Sequence, residues 1–390
     1  MTLYANNFDV RKLAACTDRG EKTYFILCGW ISEKDEVKLG NDLKKDKQIT
    51  CVAEDEHSNI FSTPPTDLKN PKIFKPFEMY IRMYGLPAYN ELDPTIFVAL
   101  SYAFIFGVMF GDVGQGLCLF IGGMLLYKFK KMDLAAIVGT CGIFSTIFGF
   151  LFGSIFGFED IIQPLWIRPL DKMSEVPFVG KLNYIFIVTV AFGMGIILLS
   201  MIFNMINSYK TKDIEKGLLD TNGLAGFIFF GSAVAVIVLF MTGQVLPGGI
   251  VLFIMFGVPL LVIALKEPIM NAVKKKAKLL PDGVGMYITQ TFFELFELLL
   301  SYFSNTLSFV RVGAFAVSHA AMMEVVLMLA GADQGNANIA VLIIGNIFVC
   351  GMEGLIVGIQ VLRLEFYEMF SRFYRGTGHA FKPFRAANRE

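Results

Sequence analysis

The sequence has few of the residues from which soluble catalytic and metal sites are built. Its 390 residues include only three His, two Trp and six Cys, and no two Cys form a CxxC pair. This argues against a disulfide framework and against a zinc site. The sequence also contains no GxxxxGK[ST], strand-linked GxGxxG, HExxH or GxSxG, so we predict no catalytic residues, no metal and no bound cofactor. Basic and aromatic residues do not interleave, so no nucleic acid partner is predicted.

The sequence is rich in long apolar segments. Hydrophobic residues make up 55% of the chain, with 39 Phe and 37 Gly, and charged residues only 17%. Apolar runs of about 18 residues or more are typical of transmembrane helices. We therefore predict a mainly α-helical, polytopic membrane bundle. Eight apolar segments are expected to span the bilayer: residues 95–110, 115–127, 134–157, 182–207, 222–242, 248–265, 287–330 and 339–371.

The first part of the chain has a different composition. Residues 1–93 are polar and are predicted to form a small α/β fragment and a linker, before a membrane domain at residues 94–390. Alternating residues at 23–30 and 48–53 predict two strands, and the pattern at 32–45 predicts a helix. A unit of this size is small for an independent core, which is typical of the remainder of a larger domain.

Loop charge predicts the orientation in the membrane. If residues 95–110 and 115–127 are two separate spans, eleven lysines fall in the loops at 128–131, 208–216 and 266–278, against three basic residues in the opposite loops. The positive-inside rule then places these three loops and both termini in the cytoplasm. A single first span would invert the pattern. The count favours eight spans, although 13 to 17 residues are short for a crossing.

A polar stripe runs through the apolar residues 285–331. Six polar residues follow each other at intervals of three or four: Glu294, Glu297, Ser301, Ser304, Ser308 and Arg311. This spacing puts all six on one face of a helix. A charged side chain near the bilayer centre costs at least roughly 2.5–3.5 kcal/mol on insertion scales. A helix that carries Arg311 there is predicted to serve ions or charged groups rather than packing alone.

The last apolar segment carries a second stripe, consisting of Asn346, Glu353, Gln360 and Arg363. Both final segments are too long for one perpendicular crossing, so they must tilt, project or break. If they pair antiparallel about residue 334, Arg311 lies opposite residue 357 and Arg363 about 9 Å further toward the cytoplasm. Glu294 and Glu297 then lie on the cytoplasmic side of Arg311. Glu353, His319 and Glu324 lie on its outer side.

Two arginines between these polar groups suggest a barrier. Arg keeps its proton at working pH, so it would attract a carboxylate and make that carboxylate release its cation. A partner with a membrane-buried carboxylate would load an ion from one side and unload it to the other. The alternative is that Arg311 and Arg363 form buried ion pairs with Glu297 or Glu353 and fix helix register. His319 is either a core histidine or part of an ion path.

Other polar positions receive simpler interpretations. Glu365 and Glu368 are expected on a solvated helix face. Asp112 lies in a Gly-rich break and is expected to cap a half-helix, with direct contact to the ion as the alternative. Gly149, Gly153 and Gly157 are spaced for close helix packing.

Four segments carry a family signature: SFVRVGAFAVSHA at 308–320, FGDVGQG at 110–116, MEG at 352–354 with LRLEF at 362–366, and GTGHAFKPF at 376–384. Together they resemble the large membrane stator subunit of V/A-type rotary ATPases, called a in vacuolar enzymes and I in archaeal and bacterial ones. The resemblance covers residues 64–384, and residues 23–30 are similar to the last strand of the family's cytoplasmic domain. Gln360 and Gly313 stand where eukaryotic relatives often have His and Trp, which indicates the bacterial or archaeal branch. Most of the family's N-terminal domain is expected to be missing.

The resemblance implies roles for several residues of the two stripes and for His319. Arg311 would be the essential arginine that faces a rotor carboxylate, with Arg363 supporting it. Glu353 and His319 would line the outer half-channel and Glu297 the cytoplasmic one. The same ion path is predicted to include the remaining polar residues Gln360, Ser304, Ser308 and Glu294.

The resemblance also implies a non-catalytic subunit that moves H+ or Na+ in a prokaryotic cell membrane. Its partners would be a rotor ring of c/K-type hairpin subunits with buried carboxylates, peripheral stalk subunits, the lipid bilayer and, indirectly, a soluble ATPase head. The alternative is a stand-alone secondary ion-coupled transporter or channel, which often shows internal repeats; the sequence has no convincing repeat. A structural membrane scaffold would leave both charged stripes without a purpose.

Overall fold

The computed structural model describes residues 18–19, 25–26, 29–44, 51–52, 64–159, 161–169, 173–176, 180–211, 213, 215–245, 247–274, 284–331 and 338–381. These residues are mainly α-helical, as predicted. Contacts divide the chain into two units. One comprises Met1–Leu68, Leu86–Tyr89 and Thr377–Glu390, and the other Lys69–Gly85 and Asn90–Gly376. The predicted domain boundary at residue 93 stays a prediction.

The smaller unit contains a short antiparallel ladder, β1 (Asp18–Arg19) and β2 (Phe25–Ile26). It also contains α1 (Glu33–Leu43), which confirms the helix predicted at 32–45. Three acidic residues in the first turn of α1 complement the positive end of the helix dipole. Most of the strand predicted at 48–53 lies outside the described residues. The α/β fold of this region therefore stays a prediction.

The larger unit is a helical bundle. Its elements are a 3₁₀ turn (Lys75–Phe77), α2 (Glu78–Tyr84), α3 (Thr95–Met109), α4 (Val113–Lys130), α5 (Asp133–Phe152), β3 (Met173–Val176), β4 (Gly180–Asn183), α6 (Tyr184–Lys210), a π-helical turn (Glu215–Leu219), α7 (Leu224–Met241), α8 (Gly249–Ala264), α9 (Lys266–Val273), α10 (Val284–Ser308), α11 (Val310–Ala330), α12 (Ile339–Arg363), a π-helical segment (Leu364–Phe370) and α13 (Ser371–Phe373). The strands β3 and β4 form an antiparallel pair.

Five continuous helical stretches of the described chain are long and apolar enough to cross a membrane. They are Asp133–Phe152, Tyr184–Lys210, Glu215–Met241, Gly285–Ala330 and Ile339–Phe373. The pair α8 and α9 passes the same test together but is bent by 58°, and α3 is a shorter apolar helix of 15 residues. These helices make the chain a multi-pass membrane protein. The predicted count of eight depends on separate crossings by α3 and α4 and stays a prediction.

The glycines of α5 do not all have the predicted role. Gly149 packs closely, because a Cβ atom there would lie 2.3 Å from the backbone nitrogen of Val113. Gly153 and Gly157 instead adopt φ values of 77° and 83°, a left-handed backbone that favours glycine. These two glycines therefore lie outside the helix, although Gly157 still packs closely, because a Cβ atom there would lie 2.8 Å from the side chain of Met323 on α11. Gly153 ends α5 at Phe152, five residues before the predicted end at 157.

Asp112 caps α4, as predicted. Its carboxylate accepts hydrogen bonds from the backbone nitrogen of Gln115 at 2.9 Å and from those of Phe156 and Gly157, both at 3.0 Å. The hydroxyl of Ser154 donates a fourth bond at 2.8 Å. Asp112 is fully buried, and these four donors satisfy the carboxylate without a cation. It joins the start of α4 to the turn after α5.

Each of the two long C-terminal helical stretches contains one local irregularity. Phe309 separates α10 from α11 and is fully buried. Its ring lies against Gly193 of α6, where a Cβ atom would come within 2.2 Å of the ring. After Arg363, α12 widens into the π-helical segment. Both irregularities lie near the arginines of the polar stripes, Arg311 and Arg363.

Asp112→Ala is expected to destabilise the protein by at least about 3 kcal/mol, because each buried donor left without an acceptor costs about 1–3 kcal/mol. Chemical unfolding of the detergent-solubilised chain measures this. The control is Asp133→Ala, since Asp133 is exposed in the first turn of α5 and should change stability by roughly 0.5 kcal/mol or less. Equal effects of the two substitutions would contradict the cap's role in stability.

Candidate functional site

The register of α11 against α12 is set by a buried pair and by a packing contact nearer to the connection between the two helices. Nδ1 of His319 lies 2.6 Å from Oε2 of Glu353. Further along, Val326 packs on Gly345, where a Cβ atom would lie 2.5 Å from the valine side chain. These contacts pair the helices about residue 336, so the predicted centre at residue 334 is wrong. Arg311 is level with residue 361 instead of 357, one turn nearer to Arg363.

The His319–Glu353 pair is enclosed. The two side chains are 3% and 1% exposed, and the Phe110 ring centroid lies 4.7 Å from that of His319. Nε2 of His319 and Oε1 of Glu353 have no hydrogen-bond partner among the described residues. His319 also lines a cavity of about 10 Å³ beside Gly111 and Ser154, roughly enough for one water. Such a pair can hold a proton between imidazole and carboxylate.

A neutral polar bridge lies beside this pair. Nε2 of Gln115 donates to Oδ1 of Asn346 at 2.9 Å, and Nδ2 of Asn346 donates to the carbonyl of Leu342 at 3.0 Å. Gln115 and Asn346 are both buried. Gln115 belongs to the FGDVGQG motif, which was the only sequence signal for it. The bridge connects α4 to the second polar stripe on α12.

The polar stripe of α10 lines a cavity of about 340 Å³. The lining residues from α10 are Glu294, Glu297, Leu298, Ser301, Tyr302 and Asn305. The opposite wall consists of Thr221, Asn222, Ser371 and Arg372. The hydroxyl of Tyr302 donates to the carbonyl of Thr221 and so connects the two walls. The structure therefore brings the first three residues of the stripe to one polar space.

Ser304 and Ser308 are not among the residues that line this cavity. Ser304 is exposed, and the hydroxyl of the half-buried Ser308 donates to the carbonyl of Ser304 at 3.1 Å. Both lie on α10 between the cavity and the break at Phe309. They continue the stripe toward Arg311.

Arg311 lies at the start of α11 and is half-buried. Its Nη1 atom is buried without a hydrogen bond, and no acidic residue in the described part of the chain lies within ion-pair distance. Its electrostatic neighbours are Glu368 and Arg363. The proposed alternative pairs, with Glu297 or Glu353, are absent from the described residues: Glu353 contacts His319, and Glu297 lines the cavity.

The other members of the second stripe lie toward the end of α12. Arg363 is exposed, and Gln360 is half-buried with an unpaired Oε1 atom. The structure thus separates the stripe into a buried, paired part at Glu353 and Asn346 and a less buried part near Arg311.

Glu365 and Glu368 are buried, 0% and 5% exposed, so the predicted solvated helix face is wrong. Both lie in the π-helical segment. A π-helical turn contains more residues than an α-helical turn, so it changes which side chains face inward. Glu368 interacts electrostatically with Arg311 and Arg363 beside Ser308.

Arg372 is a buried arginine that the sequence reasoning missed. It is 6% exposed, its Nη1 donates to Oδ1 of Asn222 at 2.9 Å, and its guanidinium carbon lies 5.1 Å from the centroid of the Tyr302 ring. Its Nε and Nη2 atoms have no hydrogen-bond partner among the described residues. Its position four residues after Glu368 near the end of an apolar segment was the available signal.

Large apolar side chains are exposed along α10 and α12. On α10 they include Phe292, Phe293, Phe296 and Phe303, and on α12 Ile344, Ile347, Phe348 and Leu355, each more than half exposed. An apolar surface of this size marks contact with lipid or with another protein.

Paired and unpaired charges inside a multi-pass helical bundle are typical of membrane proteins that handle ions or charged groups. Comparison with known proteins identifies the family. Residues 11–158 match the model of the V-type ATPase 116 kDa subunit family. The A-type ATP synthase subunit I of Pyrococcus abyssi is 30% identical over 95% of this chain and 55% of its own length. The corresponding subunits of Saccharolobus solfataricus and Aeropyrum pernix are 27% and 29% identical, over 94% and 82% of this chain and 60% and 51% of their own lengths.

The chain therefore belongs to the V-type ATPase 116 kDa subunit family. It spans about half the length of the curated relatives that it matches.

The His319–Glu353 pair should show strong energetic coupling. We expect Glu353→Ala to destabilise the protein by about 3–5 kcal/mol, if it leaves a buried charge unpaired. A double-mutant cycle with His319→Gln should give an interaction energy of about 1–3 kcal/mol in chemical unfolding. Glu324→Gln is the control, because Glu324 is exposed on the same helix. Additive effects of Glu353→Ala and His319→Gln would contradict a stabilising interaction between these two side chains.

Proposed function

We propose that this chain is the ion-translocating, non-catalytic membrane subunit of a V/A-type rotary ATPase. The observation that carries the proposal is the arrangement of polar groups around Arg311. One polar cavity lies along α10 before it, and the buried His319–Glu353 pair lies beyond it on α11 and α12. The similarity to subunit I of A-type ATP synthases supports the same role.

In this proposal Arg311 is the barrier between two half-channels. No described acidic residue neutralises it at ion-pair distance, so its guanidinium is available to a carboxylate from another protein. An arginine does not give up its proton, and its positive charge repels a cation that approaches from either side. A carboxylate that reaches Arg311 would release its ion. Arg363 adds a second positive charge nearby and Gln360 a polar group.

The two half-channels would be built from different helices. Glu294, Glu297 and Ser301 form the cytoplasmic one, which Ser304 and Ser308 extend toward Arg311. His319 and Glu353 form the outer one, and His319 lies eight residues from Arg311, about 12 Å along a helix. Their separation along the path lets an ion enter at one site and leave at the other only after being carried past Arg311.

The carrier would be a rotor ring of c/K-type hairpin subunits with buried carboxylates. The exposed phenylalanines of α10 and the exposed aliphatic residues of α12 supply an apolar surface for such a ring beside Arg311. The remaining partners are peripheral stalk subunits, the bilayer and, indirectly, a soluble ATPase head. The ion is H+ or Na+, and each charge that crosses is worth about 2.3 kcal/mol per 100 mV.

The proposed orientation follows from the lysine-rich loops. Both termini and the cavity along α10 face the cytoplasm of a prokaryotic cell, and the His319–Glu353 pair faces outward.

Arg311→Ala should abolish ATP-driven ion pumping by the assembled complex in proteoliposomes, since no fixed charge would then release the ion from the carrier. Arg311→Lys should also fail if a permanently charged, forked donor is needed. Arg375→Ala is the control, because Arg375 is exposed near the end of the described chain. Assembly is checked by co-purification with the ATPase head. Near-normal pumping by an assembled Arg311→Ala complex would refute the proposal.

The purified chain alone should carry out no gradient-driven solute uptake, because the carrier carboxylate belongs to the ring. Uptake of radiolabelled Na+ and pH-dependent dye quenching in liposomes measure this. Robust uptake by the chain alone would favour a stand-alone transporter or channel instead.

A further inference from the structure

The cavity along α10 contains a positive charge that the proposed ion path does not use. Arg372 forms part of the wall opposite Glu294 and Glu297. It is held rigidly, by the hydrogen bond to Asn222 and by the Tyr302 ring below its guanidinium. Only one of its guanidinium nitrogens has a described hydrogen-bond partner, although the side chain is 94% buried.

Arg372 has no carboxylate within ion-pair distance among the described residues. Glu368 interacts with it, but Glu368 also interacts with Arg311 and Arg363, so one carboxylate faces three arginines. Lys266 pairs with Asp220 at 2.8 Å and also interacts electrostatically with Glu294. Arg372 therefore adds one positive charge to a cavity lined by the carboxylates of Glu294 and Glu297 and by the phenol of Tyr302.

We propose that Arg372 is a specificity-determining residue of this cavity, which it reserves for protons or monovalent cations by repelling divalent ones. Without Arg372, two carboxylates and several hydroxyl and amide oxygens would surround about 340 Å³ of polar space. Oxygen donors of this kind suit Ca²⁺, which takes six to eight oxygen ligands. The repulsion from a fixed positive charge is twice as large for a divalent as for a monovalent ion. The two glutamates attract a divalent ion twice as strongly as well, so the guanidinium offsets one of the two carboxylates and weakens the binding of a divalent ion more than that of a monovalent one.

This inference rests on the proposed function, and the test is inhibition of pumping by Ca²⁺. Assembled complexes in proteoliposomes pump with excess Mg²⁺–ATP while Ca²⁺ is added on the ATP side. Each variant is normalised to its own rate without Ca²⁺, and the ATPase rate of the detached head in the same Ca²⁺ is measured for correction. Arg372→Gln should lower the half-inhibiting Ca²⁺ concentration at least roughly tenfold, and Arg372→Lys should keep it within twofold of wild type.

A second variant avoids dependence on Arg372 itself. Ser371 is exposed and lines the same cavity, so Ser371→Asp should offset the charge of Arg372 and raise the sensitivity to Ca²⁺. Ser371→Asn is its neutral match and should not. If Arg372→Gln does not assemble, the comparison of Ser371→Asp with Ser371→Asn tests the inference alone.

Half-inhibiting concentrations within twofold of wild type for both Arg372→Gln and Ser371→Asp would overturn the inference and leave Arg372 a structural residue. That result is distinct from failure of the proposed function. Normal pumping by Arg311→Ala refutes the ion path as a whole. If Arg311→Ala stops pumping but Arg372→Gln and Ser371→Asp keep the Ca²⁺ sensitivity of wild type, only the role of Arg372 is refuted.

Discussion

The contact between His319 and Glu353 determines which polar residues of α11 and α12 lie level with each other along the helix axes. Both side chains are buried, so separating them would leave polar atoms unpaired in apolar surroundings, which costs free energy. The contact therefore fixes how far α12 is advanced along α11. Packing of Val326 on Gly345 supports the same register. As a result, Arg311 is level with residue 361 and close to Arg363, while Glu353 lies beyond the arginine's reach.

The charged side chains of the bundle form two groups with different physical roles. Asp112 has four donors, and Glu353 has His319. Groups of this kind connect elements of the fold. Arg311 has no ion pair among the described residues, is half-buried, and shares the electrostatic influence of Glu368 with Arg363. A further carboxylate would therefore be stabilised beside it, and in the proposed function the rotor supplies that carboxylate.

Spacing predicted the site best where the helix is regular. Glu294, Glu297 and Ser301 share a cavity because α10 is uninterrupted from Val284 to Ser308. Glu365 and Glu368 were expected on a solvated face because they lie near the cytoplasmic end of the last segment. They are buried in a π-helical segment, where the side chains do not follow the period of 3.6. The predicted register of α11 against α12 assumed that the two helices pair about the middle of the segment that connects them. In the structure the side-chain contacts His319–Glu353 and Val326–Gly345 set this register instead. Arg372 was missed because its partners, Asn222 and Tyr302, are distant in sequence.

The residues between the two polar regions support the proposal that a carrier moves the ion past Arg311. Phe309 is fully buried against Gly193, Val312 is buried, and a Cβ atom on Gly313 would lie 2.9 Å from the Phe186 ring. These described residues are close-packed and mostly apolar, with the Thr189 hydroxyl also beside Gly313, and such packing disfavours a cation. In the proposed function, a cation from the α10 cavity would therefore not pass through them to His319. It would travel along the outer surface beside Arg311, where the ring carboxylate would hold it until the arginine displaces it.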